Sequence, residues 1–355
     1  MLTYVTSAII VLGVLILVHE WGHFYMARKM GVGVEKFSIG FGKPLWTKMH
    51  NGTEFIVAWI PLGGYVKMVG DEEGEDAPTP ENPEESFSNK AVWRRLLIVL
   101  AGPIANLIFA AVLFSVVYMV GVDVPDTKLK TVVAGSPAQA IGLKVGDRIL
   151  EIDGVVIKDW SHLADIIGKS ADKLIELTIE AENGSISYVS VTPEAQASKT
   201  IFGEDVRVGR IGISHGTVFK RYNPIHALYL GAEKTVEIIY LTGLVIVKMV
   251  QNIVPANTIG GPLMIFKIAG DQAEAGIIPL LMFMAVLSVN LGFLNLLPIP
   301  ILDGGHVVFF LIEAAKGNPV SIKAREVAQQ VGMFLLITLM VFAFYNDITR
   351  FIASR

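Results

Sequence analysis

The residues with the clearest chemical meaning are two histidines and a glutamate near the N-terminus. His19, Glu20 and His23 occur in the sequence HEWGH, directly after a run that is apolar from Val5 to Val18. Positions i and i+4 share one face of a helix, so both imidazoles can reach a single Zn²⁺ ion. Glu20 then lies beside the metal and can act as a general base. The pattern predicts the centre of a zinc hydrolase.

The setting of these residues strengthens that interpretation. Ionisable side chains inside an apolar helix are costly to desolvate, so such a group requires a partner such as a metal ion. The alternative is a set of polar residues at the membrane interface, near the end of the first apolar run. We favour the metal, because HExxH supplies both ligands and a base within two helical turns.

A catalytic zinc ion usually has three protein ligands, so one more is required. Asp303 is the only acidic residue between Glu274 and Glu313, and it follows the sequence LPIP. Prolines remove helical hydrogen bonds, and non-helical backbone inside a membrane is tolerated mainly where it lines a polar cavity. His306, one helical turn later, is the alternative ligand. We favour Asp303, because a carboxylate commonly completes a two-histidine zinc site.

The composition indicates which elements carry these residues. The 355 residues are 52% hydrophobic and 17% charged, and the mean hydropathy is +0.55. These values are typical of a membrane protein. Residues 1–27, Leu96–Val122, Ala275–Ile312 and Val327–Asn346 are each long enough to cross a bilayer of about 30 Å. We therefore predict a mostly α membrane protein with four transmembrane helices, embedded in the lipid bilayer.

The distribution of positive charge predicts the orientation. Residues 1–27 contain no Lys or Arg. The first loop, residues 28–95, contains many of them. Positive loops are retained in the cytoplasm, so the N-terminus is expected outside and the first loop inside. Residues 123–274 then lie outside, and both termini are external.

Other classes of protein are excluded by charge and by cysteine content. The net charge of −4 offers no basic patch for nucleic acid, so no nucleic-acid partner is expected. The chain has no cysteine, which excludes disulfides, thiolate metal sites and a cysteine nucleophile.

The first loop contains two apolar segments that indicate a β-hairpin within residues 53–69. Strands are predicted at Glu54–Ile60 and Tyr65–Val69, joined by the turn sequence PLGG. Both faces are apolar, so we expect the hairpin to re-enter the membrane, shielded by protein. A small cytoplasmic hairpin is the alternative. The acidic, proline-rich run Asp71–Glu85 that follows is predicted to be a flexible loop.

The external part between the second and third spans holds one small domain, at residues 126–214. Its sequence SPAQA followed by GLKVGDRILEIDG resembles the core of a PDZ domain. In a circularly permuted PDZ domain, Val208–Ile213 would correspond to the carboxylate loop and the peptide-binding strand. The fold is therefore predicted to include one inserted α/β PDZ domain, and a β-rich structural spacer is the alternative.

Residues 215–274 form the connector to the third span. Apolar residues recur with helical spacing from Pro224 to Val254, with charged residues between them. This pattern favours an amphipathic helix in the outer membrane interface. A fifth span is the rival interpretation, but Ile238–Val247 is too short to cross alone.

Taken together, these motifs resemble the site-2 protease family, in its bacterial branch. The likeness includes HEWGH in the first span, AGPIAN in the second, NLLPIPILDGGH at 295–306, IPLGGYVKM at 60–68 and GGP at 260–262. It covers nearly the whole chain. One departure concerns the external domain: relatives in this branch have two tandem PDZ domains, whereas this chain has room for one.

The resemblance implies residue roles and partners. It implies Zn²⁺ held by His19, His23 and Asp303, with Glu20 as the base. It also implies that Asn295 contacts the substrate backbone and that the hairpin is a membrane-re-entrant loop. An unwound substrate would regain its lost backbone hydrogen bonds by adding as a strand to the edge of this hairpin, where Gly63, Gly64 and Tyr65 are the expected binding residues.

Regarding biology, the resemblance implies regulated intramembrane proteolysis in a bacterial inner membrane. The substrates would be single-span membrane proteins, such as anti-sigma factors or signal-peptide remnants. Two other classes are less consistent with the sequence. A catalytically silent scaffold would have no reason to keep buried ionisable groups, and a zinc transporter would need more polar residues in the second and fourth spans.

Overall fold

The structure is a computed structural model, and it describes residues 2–71, 82–200 and 202–353. The chain forms two compact units. The first contains the residues up to Val117, Asn223–Leu244 and the residues from Ala256 onward, and the second contains Tyr118–Tyr222 and Val245–Pro255. Most of the acidic run 71–85 lies outside the described residues.

The helices and strands are numbered here in chain order. The helices are α1 (Leu2–Lys29), α2 (Val92–Val120), α3 (Pro137–Ala140), α4 (Trp160–Lys169), α5 (Pro224–Val250), α6 (Pro262–Ala275), α7 (Ile277–Asn295), α8 (Asp303–Lys316) and α9 (Ile322–Ala353). The strands are β1 (Val34–His50), β2 (Thr53–Met68), β3 (Val122–Val132), β4 (Arg148–Ile152), β5 (Val155–Val156), β6 (Ile175–Glu180), β7 (Ile186–Val191), β8 (Glu194–Lys199), β9 (Asp205–Arg210) and β10 (Ile213–Lys220).

Within the described residues, four helices are long and apolar enough to cross a membrane: α1, α2, α7 and α9. The predicted third span, Ala275–Ile312, is wrong in its extent. Its helix α7 ends at Asn295, and a separate helix, α8, begins at Asp303. The physical reason lies in Pro298 and Pro300, which lack the backbone N–H that a continuous helix needs.

Helix α5 packs against two of these spans. A Cβ atom added at Gly231 would lie 2.3 Å from the Ser115 hydroxyl oxygen of α2, so the two backbones approach closely. Farther along, Thr242 donates a hydrogen bond of 2.8 Å to Asn290 Oδ1 of α7. One face of α5 therefore packs against α2 and α7. Its position in the membrane interface stays a prediction.

Strands β1 and β2 are joined by the tight turn Asn51–Gly52, with φ values of 48° and 77°. Positive φ at both central residues is the signature of a hairpin turn that matches the twist of the strands. The predicted pairing of Glu54–Ile60 with Tyr65–Val69 is wrong. Both halves of β2 instead align with residues 36–39 of β1: Ser38 has partners at Ile56 and Tyr65.

The physical reason for this error is the non-local pairing of β1. Residues 34–39 lie beside both halves of β2, and the chain bends at Gly40, Gly42 and Gly63, where φ is positive. The two long strands therefore make a small folded sheet. Residues 54–57 of β2 pair along one edge of the first part of β1, and residues 64–68 pair along its other edge.

The second unit is a β-rich domain. Its main sheet has the strand order β10-β3-β4-β6-β7, with β5 paired to β4, and β8 and β9 form a separate pair. A core that includes Leu129, Ile149, Leu163 and Leu177 lies between the main sheet and α4. Asp159 caps α4, because its side chain accepts a hydrogen bond of 2.8 Å from the His162 backbone N–H.

Candidate metal centre

Helix α1 delivers two imidazoles to one point. His19 and His23 are each 8% exposed, and their Nε2 atoms are 3.2 Å apart. The helix remains unbroken from Leu2 to Lys29, so both side chains project from the same face. The pairing predicted from HEWGH is therefore present in the structure.

Asp303 approaches the same point from α8. Its Oδ2 atom is 3.1 Å from His19 Nε2, and its Oδ1 atom is 3.5 Å from His23 Nε2. One donor atom from each residue lies within 4.8 Å of the others. Three side chains from two helices distant in sequence thus converge on one site.

This arrangement fits a zinc ion. Nitrogen donors bound tetrahedrally at about 2.0–2.1 Å from zinc are separated by roughly 3.3 Å, which is close to the separation of the two Nε2 atoms. Two imidazoles and a carboxylate are also a donor set that zinc hydrolases use. His306 is not part of the three-residue group found among the described residues. It lines a cavity with Glu326 and Gln329 of α9.

Glycines allow the helices around the site to pack closely. A Cβ atom at Gly22 would lie 2.3 Å from the Ala101 carbonyl oxygen, and one at Gly102 would lie 2.2 Å from His23 Nε2. Larger residues at either position would push α1 and α2 apart. The glycines in HEWGH and AGPIAN therefore allow α1 and α2 to pack closely enough for His23 to contact α2.

Helix α2 also orients His23. The Ile98 carbonyl oxygen lies 2.9 Å from His23 Nδ1. A carbonyl can only accept, so Nδ1 carries the proton and Nε2 keeps its lone pair for a metal.

Asp303 is positioned by the irregular segment before α8. Cβ atoms at Gly304 and Gly305 would lie 2.2 Å from the Leu297 carbonyl oxygen and 2.4 Å from that of Ile299. Only glycines let the first turn of α8 fold back onto this segment. The DGG sequence therefore brings the carboxylate to the histidines, at the break between α7 and α8.

Asn295 and the β1–β2 sheet border the three-residue group. Asn295 Nδ2 is 3.3 Å from His19 Nε2. On the other side, a Cβ atom at Gly64 would lie 2.9 Å from Glu20 Cγ, so β2 runs directly beside the glutamate. Tyr65, the next residue, stacks on the Phe41 ring with centroids 6.2 Å apart.

Sequence reasoning missed one residue at this site. Asn106 of α2 is fully buried, and its Nδ2 atom is 3.2 Å from His19 Nδ1. The available signal was an amide inside an apolar span, which is costly without a specific partner. The motif AGPIAN contributes to the family resemblance, but the sequence alone assigns no role to its asparagine.

Two histidines and a carboxylate that meet between apolar helices define a membrane-embedded metallohydrolase. The model of peptidase family M50 matches residues 7–339. The regulator of sigma-E protease RseP of Escherichia coli is 33% identical, over 97% of this chain and 98% of its own. The protease RseP of Yersinia pestis is 32% identical, over 96% and 97%. A Rhizobium meliloti protein whose name describes a zinc metalloprotease is 35% identical, over 97% and 96%.

The chain therefore belongs to peptidase family M50 and is a zinc metalloprotease of the membrane. The alignment with the E. coli protein extends over 448 residues, beyond the 355 of this chain, whereas that with the R. meliloti protein extends over 365. The E. coli relative thus contains additional sequence on the scale of a small domain.

Proposed function

We propose that this protein cleaves peptide bonds inside the transmembrane segments of single-span membrane proteins, with His19, His23 and Asp303 as zinc ligands. The observation that carries the proposal is the convergence of these three side chains, within 4.8 Å, between helices that are apolar enough to span a membrane. Zinc, when bound there, activates water and polarises the scissile carbonyl.

Glu20 moves the proton in this reaction. It is half-buried on α1, next to His19, and it faces the strand at Gly64. Its carboxylate accepts a proton from the attacking water and then donates it to the departing amine.

The substrate is bound as an extended strand. A helical substrate hides its carbonyls in hydrogen bonds, so it must unwind before attack. In the described pairings, residues 64–66 align only with β1, and a substrate strand would add at their other edge, beside Glu20. Asn295, 3.3 Å from His19 Nε2, is suited to hold the substrate backbone through its amide.

The β-rich unit is proposed to be a PDZ domain that selects substrates. A cavity of about 640 Å³ lies between α4, at Trp160 and Leu163, and the segment Val208–Ile213. Strand β10, which follows this segment, pairs only with β3 among the described strands. Such a groove can accept a peptide terminus, and the domain can also exclude bulky external domains.

The proposed setting is a bacterial inner membrane, with both termini and the β-rich unit outside. The positive charges between α1 and α2 support this orientation. Anti-sigma factors and signal-peptide remnants are the proposed types of substrate, because each has a single apolar segment.

The decisive experiment compares wild-type protein with Glu20→Gln, purified in detergent, on a model single-span substrate. The variant should retain zinc and lose cleavage by at least about 100-fold, because it keeps the ligands and lacks the proton acceptor. Metal analysis of the same samples is the control. Cleavage near the wild-type rate in a zinc-loaded Glu20→Gln protein would refute the assigned mechanism.

A further inference from the structure

Helix α2 contacts both imidazoles with one of its faces. Ile98, Gly102 and Asn106 are four residues apart, so they line up along the helix. The Ile98 carbonyl lies 2.9 Å from His23 Nδ1, Gly102 makes space for the His23 ring, and Asn106 lies 3.2 Å from His19 Nδ1. This face of α2 therefore contacts both histidines.

The direction of the imidazoles determines what each Nδ1 atom requires. Both Nε2 atoms face Asp303, at 3.1 Å for His19 and 3.5 Å for His23. A histidine that binds a metal through Nε2 carries its proton on Nδ1, and that N–H needs an acceptor. Ile98 meets this need for His23. His19 requires an acceptor at the position of the Asn106 amide.

The Asn106 amide has an acceptor that is not used. Among the buried side-chain atoms of the described residues, Asn106 Oδ1 is the one without a hydrogen-bond partner. Its Nδ2 group instead faces His19 Nδ1. When His19 binds a metal through Nε2, its Nδ1 carries a proton, so the Asn106 N–H and the His19 N–H would point at each other. Rotating the amide by about 180° exchanges the two atoms at little steric cost. Oδ1 then accepts from His19 Nδ1–H.

We infer that Asn106 is a positioning residue for zinc: its Oδ1 accepts the His19 Nδ1 proton and holds that imidazole with Nε2 directed at the metal. The inference rests on the proposed ligand set. The Asn106 backbone is itself fixed, because Ser288 of α7 donates a hydrogen bond of 2.8 Å to its carbonyl. An amide held on a rigid helix gives the ring a defined orientation.

The test separates hydrogen bonding from packing by means of two replacements of similar size. Asn106→Leu removes the acceptor, whereas Asn106→Asp keeps an oxygen at the same position. Asn290→Leu is the matched control, since it removes an amide from α7 that bonds Thr242, whereas the described hydrogen bonds of the two histidines involve other residues. His19→Ala tests the ligand assignment itself.

The measurement is zinc affinity, obtained by chelator competition on full-length protein in detergent, together with the melting temperature of the metal-free protein. We expect Asn106→Leu to bind zinc about 10- to 100-fold more weakly. Asn106→Asp and Asn290→Leu should stay within a few-fold of wild type. If Asn106→Leu does not fold, Asn106→Ala takes its place in the comparison.

Two results overturn the inference. Wild-type zinc affinity in Asn106→Leu, with His19→Ala strongly weakened, would leave the ligand set intact and remove the role of Asn106. Equal weakening in Asn106→Leu and Asn106→Asp would show that shape, and not the acceptor, matters. Wild-type affinity in His19→Ala would instead refute the proposed ligand set, which is a separate failure.

Discussion

Arg95 of α2 and Glu313 of α8 form an ion pair whose side chains are only 9% and 13% exposed. The Arg95 guanidinium also lies 4.9 Å from the centre of the Phe310 ring. Helix α8 begins with Asp303, and α2 supports His23 through Ile98. The ion pair therefore joins α2, which contacts His23, to α8, which carries Asp303.

Breaking this pair should destabilise the protein. Glu313→Gln leaves the Arg95 charge buried and uncompensated, so we expect a loss of about 3–5 kcal/mol in the free energy of unfolding. Denaturant unfolding in detergent measures it. The double variant Arg95→Met with Glu313→Leu should recover much of the loss, because it removes both buried charges. A double variant as unstable as Glu313→Gln alone would contradict this account.

The third zinc ligand is tested by comparing Asp303 with His306. Asp303→Ala should lower the zinc content sharply, because it removes one of three donors. His306→Ala should leave zinc unchanged, because His306 is outside the three-residue group. Metal analysis after dialysis decides between them. Zinc loss in His306→Ala alone would reverse the assignment.

The strand beside Glu20 should not tolerate a side chain at Gly64. A Cβ atom there would lie 2.7 Å from the Ser38 carbonyl oxygen and 2.9 Å from Glu20 Cγ. Gly64→Val is therefore expected to reduce cleavage at least tenfold while zinc stays bound, because the ligands lie on α1 and α8.

The control for that variant is Gly13→Ala, in α1, where an added Cβ atom meets nothing within 4 Å. This change should preserve activity, since alanine favours a helix. Both proteins are assayed on the same single-span substrate. Full activity in Gly64→Val would show that the strand is not part of the substrate site.

Removal of the segment 121–220, which contains all strands of the β-rich unit, should separate selection from catalysis. Its two ends are adjacent, because the Tyr222 backbone N–H donates a hydrogen bond of 3.1 Å to the Tyr118 carbonyl. A short Gly-Ser linker can therefore replace residues 121–220. The three proposed ligands and Glu20 lie outside this segment, so cleavage of a short model substrate should continue.

The same deletion is expected to admit substrates with bulky external domains, which the intact protein is proposed to exclude. Intact and trimmed versions of one substrate, each with and without the unit, give a four-way comparison on one gel. Loss of cleavage for both versions, in a deletion that still holds zinc, would show that the unit delivers substrates.

The extent to which sequence predicted this structure differs between helices and strands. The membrane character of α1, α2, α7 and α9 can be predicted from the hydropathy of each segment alone. The i, i+4 spacing in HEWGH likewise predicts that both histidines lie on one face of a helix. Strand pairing is not local. The run from Phe55 to Ile60 is apolar on both faces, so the alternation that normally specifies strand register is absent there. The predicted partner of Glu54–Ile60 was therefore wrong.

By itself, the sequence determined the class of the protein, the convergence of two histidines on one helical face, and Asp303 as the carboxylate expected to join them. Only the tertiary structure decided that helix α8 starts at Asp303, that Gly64 borders Glu20, and that Ile98 and Asn106 contact the two imidazoles. The physical reason is that these relationships depend on contacts between segments distant in sequence; for Ile98 and Asn106 they depend on the distance between α1 and α2. That distance is set by Gly22 and Gly102, whose missing side chains have an effect only when the opposing helix is in place.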